Sequence, residues 1–151
     1  MANEDDKERL DRELGELLQE LRVALPGIQV LFAFLLTVPF SQRFGQVTDP
    51  QKGAYFLSFL CAAVATAFFI APTAYHRLRW REHDKEKMLR LSNAFTVVGT
   101  IFLAIAMVSV IYVITDLLFG GAVSALVTVV AVILFGILWY AVPLTRKVRR
   151  R

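Results

Sequence analysis

Apolar residues gather into four long runs, at about 23–40, 53–75, 93–117 and 120–144, and polar residues fill the stretches between them. A helix rising 1.5 Å per residue needs about 20 residues to cross a hydrocarbon layer about 30 Å thick, and each run meets or approaches that length. Inside lipid every backbone amide must be satisfied within its own segment, so four such runs predict four transmembrane helices. The fold class expected is therefore an all-α membrane protein, with a cytoplasmic amphipathic helix preceding the four spans.

That preceding element is read from a different period. Leu10, Leu14, Leu17, Leu21, Ala24 and Ile28 recur at spacings of four and three, which places them on one seam of a helix over 8–25. The first seven residues read as a disordered acidic N-terminus. Residues 1–22 hold eight acids against four bases, so this helix is repelled by anionic headgroups and its seam is expected against protein. Either a neighbouring copy or the basic middle connection would serve, and Leu10, Leu14, Leu17 and Leu21 are the expected contact residues. Pro26 and Gly27 interrupt the pattern, and proline both removes a donor and crowds the preceding turn. A kink between the surface helix and the first span is expected there, with Pro26, Gly27 and Pro72 as hinge candidates or tolerated kinks.

Composition sharpens this picture without changing it. The 151 residues are 56% hydrophobic with a net charge of +4, and mean hydropathy is +0.54. Fifteen of the seventeen Lys and Arg fall in the N-terminal segment, the middle connection and the basic tail at 145–151; only Arg43 and Lys52 lie elsewhere. Positive flanks stay on the cytoplasmic side, so both termini are expected inside. Tyr75, Trp80, Trp139 and Tyr140 then fall at the inner interface, where amphipathic rings prefer to sit. Basic residues arranged as flanks to spans, with no recognisable module around them, exclude a nucleic-acid partner. Cys61 is the single cysteine, which excludes an intramolecular disulfide.

Chemistry is sparse. Gln29 in the first span and Asn93, Thr96 and Thr100 in the third are the polar candidates, for interhelical hydrogen bonds or for a pathway lining. Gln29 and Asn93 are expected to meet across helices. Asp116 is the one carboxylate in a predicted span, close to the outer turn, and reads as a helix-end anchor ahead of a proton relay. Small residues recur at Ala54, Ser58, Ala62 and Thr66, and at Gly120, Ser124 and Thr128, a spacing that lets helix backbones approach. His76 and His83 among arginines do not make a metal site. No phosphate loop, nucleophile elbow or HExxH pattern is present, so neither an enzyme nor a cofactor is expected. A voltage sensor is excluded because the fourth run carries no charge.

The strings Glu16-Leu-Leu-Gln-Glu-Leu-Arg-Val-Ala-Leu-Pro-Gly27, Gln29-Val-Leu-Phe-Ala-Phe-Leu35 and Ala71-Pro-Thr-Ala-Tyr-His-Arg77 resemble an uncharacterised family of small bacterial four-span membrane proteins, a domain of unknown function. The resemblance implies a multi-pass protein of the bacterial cytoplasmic membrane and carries no activity with it. Two functions are weighed on the residues themselves. The first is a homo-oligomeric passive channel for ions or small solutes. The alternative is a non-conducting membrane scaffold or regulator acting through its N-terminal helix.

Overall fold

The computed structural model describes residues 2–78 and 85–141, and among them the chain is helical with no strand. α1 runs over Ala2–Thr37 and is followed by 3-10 turns at Val38–Phe40 and Gln42–Gln46. α2 spans Asp49–Leu78, α3 Lys85–Phe119 and α4 Gly121–Gly136, the last continued by a π-helical turn at Ile137–Ala141. Among the described residues, four helices are long and apolar enough to cross a membrane. Trp80, His83, Pro143 and the basic tail lie outside the described residues.

α1 differs from the expected two-part element. It is one continuous helix from Ala2 through Pro26 to Thr37, and the backbone of residues 2–7 is helical. Two physical reasons account for this. An acid-rich opening complements the positive end of a helix, and membrane helices tolerate proline because neighbouring groups satisfy the carbonyl it frees. At 36 residues α1 is about 54 Å long, and α3 at 35 residues about 52 Å, both far beyond a ~30 Å hydrocarbon layer. The charged ends, Glu8 to Glu20 on α1 and Lys85 to Arg90 on α3, are the parts that outrun the apolar runs.

Burial follows a heptad in every helix. The covered positions include Leu14, Leu21, Ile28 and Leu35 on α1, Gln51, Ser58, Ala65 and Pro72 on α2, Ser92, Gly99 and Ala106 on α3, and Ser124 and Ala131 on α4. A period of 3.5 keeps one seam of a helix facing a neighbour that crosses it at a shallow left-handed angle. α1 presents large side chains on its seam, whereas α2, α3 and α4 present mostly small ones. Lipid gives apolar surface no reason to prefer protein over itself, so close backbone approach at small residues must supply the packing energy. The rest of each span is apolar and exposed, as at Phe34, Ile101, Leu126 and Val130.

The chain divides into two units. The first comprises Met1–Val38 and Cys61–Leu103. Its centre is Leu21 and Ile28 of α1 with Ala65 and Phe69 of α2, and Leu17, Leu25, Phe102 and Leu103 pack around them. Gly99 is where α3 comes close: a Cβ there would lie 3.1 Å from Cε1 of Phe69 and 3.3 Å from Cβ of Phe68. Phe68 also stacks on Phe102 with ring centroids 6.0 Å apart.

The second unit comprises Pro39–Leu60 and Ala104–Arg151. There Ser58 is fully buried and its Oγ donates to the Ala106 carbonyl at 2.8 Å. α2 starts with one half of a capping box at Thr48-x-x-Gln51: the Thr48 N–H donates to Oε1 of Gln51 at 3.0 Å. Gly120 alone separates α3 from α4, with φ +69° and ψ 174°, a conformation that only glycine adopts without strain.

Candidate functional site

The leucine seam of α1 is consumed by the chain. Leu14 and Leu21 are buried, and Leu10 and Leu17 half-buried. Leu21 sits in the core beside Ala65 and Phe69, and Leu17 packs on that core. Of the expected contacts for a neighbouring copy, Leu14 and Leu21 are thus already covered, because the heptad continues through Pro26 to Ile28 and Leu35 and docks α1 as one piece.

With its apolar seam turned inward, the charged part of α1 leaves its acidic residues in the open. Glu13, Glu16 and Glu20 stand at i, i+3 and i+7, a single helical stripe. With Leu17 of α1 and Leu89, Arg90 and Asn93 of α3 they line a cleft of about 400 Å³. Glu13 reaches Arg9 at 4.0 Å, and Arg90 is paired with Glu86 one turn back. Exposed pairs of this kind contribute little, with a median of about 0–1 kcal/mol. Three carboxylates thus share a concave surface with one guanidinium and a floor of two leucines. That arrangement suits a cationic group carried on an apolar stem. It holds no nucleophile or general base paired to one. Among the described residues no group of three His, Cys, Asp or Glu is placed to hold a metal ion.

Of the polar residues named as pathway candidates, Asn93, Thr96 and Thr100 stand at i, i+3 and i+7 of α3, while Gln29 lies on α1. Gln29 and Asn93 are both exposed and do not bond to each other. Thr96 donates its hydroxyl to the Ser92 carbonyl at 2.9 Å, and Thr100 to that of Val97 at 2.8 Å. Thr66, Thr115 and Thr128 close on their own helices in the same way. A hydroxyl bonded to a carbonyl three or four residues back satisfies itself within its own turn. No buried side-chain nitrogen or oxygen among the described residues lacks a partner.

Asp116 accepts a hydrogen bond from Nε2 of Gln51 at 2.7 Å, and its backbone carbonyl accepts from Gly120 N–H at 3.1 Å. Gln51 therefore caps α2 with its carbonyl and clasps α3 with its amide nitrogen. Reasoning from sequence missed Gln51, although the Thr48-x-x-Gln51 pattern announces half of this role. Of the small row Ala54, Ser58, Ala62 and Thr66, Ser58 and Ala62 are buried and Ala54 and Thr66 half-buried. Pro72 is also buried inside α2 and serves as core, while Pro26 and Gly27 are exposed on α1. His76 lies in α2.

No curated protein and no solved structure matches the chain. One family does, over residues 3–143, nearly the whole length that carries the four apolar helices and the cleft. This multi-pass membrane protein belongs to DUF6328, a family of unknown function.

Proposed function

We propose that the protein is a non-conducting, non-enzymatic membrane scaffold or regulator that docks a cationic partner at the mouth of α1 and α3. In this reading it sits in a bacterial cytoplasmic membrane with both termini in the cytoplasm, a placement that the distribution of Lys and Arg supports. The observation that carries the proposal is the cleft of Glu13, Glu16 and Glu20 over Leu17 and Leu89. α1 and α3 outrun the bilayer at this end, so the cleft lies at or beyond the headgroup layer. The Lys and Arg that flank other membrane segments on the cytoplasmic side occupy the same level.

The channel reading is the weaker one. Its lining candidates Thr96 and Thr100 donate their hydroxyl protons to their own helix, and Gln29 and Asn93 do not bond to each other.

Two measurements on the full chain in neutral-lipid vesicles test the proposal. A soluble helical peptide of leucine and lysine, with the leucines at i, i+3, i+4 and i+7, should bind, bind less as salt rises past physiological strength, and lose binding in the Glu13→Lys, Glu16→Lys, Glu20→Lys triple variant. Ion and small-solute flux should equal that of protein-free vesicles. Flux above that baseline, or peptide binding indifferent to the triple variant, would overturn the proposal.

A further inference from the structure

Within the part of α1 that lies in lipid, one polar side chain is left without a bond. Gln29 stands seven residues past Arg22 and eight before Thr37, so at 1.5 Å per residue it is about 10 Å along the helix from either. A glutamine side chain does not reach water from that depth. Its amide has two donors and an acceptor. The residue is exposed, and no described residue gives it a hydrogen bond. The threonines of the spans solve the same problem by bonding to the preceding turn. Gln29 does not, and its amide is presented outward to the bilayer.

Its surroundings on the helix favour a close neighbour. Pro26, Ala33 and Leu36 lie at −3, +4 and +7 from it, the same stripe, and all are exposed. Pro26 and Ala33 are small enough to let a second backbone approach. The leucine seam lies on the adjacent face and is already used within the chain.

We propose that Gln29 is a self-recognition site, at which a second copy packs its α1 against this stripe about a two-fold axis normal to the membrane. Copies inserted in the same orientation hold each residue at one depth, so a two-fold contact brings Gln29 to Gln29. A carboxamide is its own complement: each Nε2 donates to the other Oε1, and two reciprocal bonds form. A partner of other chemistry would need its own donor and acceptor at this depth, which a second copy supplies by construction. This dimer rests on the membrane placement of α1 and is independent of the acidic cleft.

The test uses the full chain with Cys61→Ala and Leu36→Cys in lipid vesicles, diluted over a wide range of lipid-to-protein ratio. Oxidation should trap a dimer, and energy transfer between labelled copies should report the same association. Gln29→Leu should weaken association about tenfold, the size expected for losing a pair of interhelical amide bonds in lipid. Gln29→Asn, which keeps the carboxamide, should retain most of it. Circular dichroism of each variant reports retention of helix, and Gln29→Ala provides a second removal should leucine disturb packing. Association unchanged by Gln29→Leu and Gln29→Ala, or a wild-type chain that stays monomeric at the highest protein density, would overturn the proposal.

Discussion

Gly99 is the most demanding position in the helix packing, and filling it makes a quantitative prediction. A Cβ at this site would lie 3.1 and 3.2 Å from Cε1 and Cδ1 of Phe69 and 3.3 Å from Cβ of Phe68. Carbon pairs prefer about 3.5–4.0 Å, so each neighbour must retreat by several tenths of an ångström. Phe69 is 2% exposed and boxed in by Leu21, Ile28 and Ala65, and Cβ of Phe68 is held by its backbone. Alanine gains up to about 1 kcal/mol of helix propensity over glycine, whereas overpacking a filled core costs about 1–3 kcal/mol. The balance for Gly99→Ala is a loss of about 1 kcal/mol. Gly99→Leu adds three more carbons where none fit, and its loss should exceed about 3 kcal/mol. The assay is reversible unfolding in mixed micelles, titrating a denaturing detergent and following helix content. A double-mutant cycle isolates the contact. Phe69→Ala alone should cost about 3 kcal/mol, yet in its background Gly99→Leu should cost at least about 1 kcal/mol less than in the wild type. Gly99→Leu with wild-type stability, or strict additivity with Phe69→Ala, would refute the packing argued here.

Other glycines make contrasting predictions. A Cβ added at Gly15 would meet no heavy atom within 4 Å, so Gly15→Ala should stabilise α1 by about 0.5–1 kcal/mol in the same unfolding assay. Gly120 is equally uncrowded but has φ +69°, so Gly120→Ala should cost about 1–3 kcal/mol from backbone strain alone. Gln51→Ala removes both the cap on Thr48 and the donor to Asp116; its expected cost is about 1–2 kcal/mol. Gln51→Glu places a second carboxylate against Asp116 and should cost more than Gln51→Ala when both are measured at neutral pH.

Much of the fold is written in the apolar runs. Four stretches of sufficient length predict four spanning helices, and the glycine pair at 120–121 marks the reversal before α4. The behaviour of α1 was legible in part. Leu14, Leu21 and Ile28 announced a seam, and Pro26 and Gly27 suggested a kink within it. Leu35 extends the same heptad into the span, and a membrane helix can absorb one missing amide. Which surface covers that seam is a tertiary fact: no local pattern tells Leu21 to choose Ala65 and Phe69 over another copy. The hydrogen bonding of the threonines in α3 follows from a local rule. Thr96 and Thr100 have carbonyls of their own helix within hydroxyl reach and donate to them. Gln51 was missed because attention went to residues inside the spans, while its work is done at the first turn of α2. Gln29 lies on α1, and its expected partner Asn93 lies at the cleft.

The claim on which the rest depends is that α1 is one helix whose seam is buried by its own α2. A crosslinking experiment on the chain with Cys61→Ala, Leu21→Cys and Ala65→Cys in lipid vesicles tests it directly. The account predicts rapid disulfide formation within single copies, seen as a monomer whose mobility changes on reduction, at every protein density. A disulfide that joins two copies, or thiols that remain free under oxidation while helix content is intact, would contradict it.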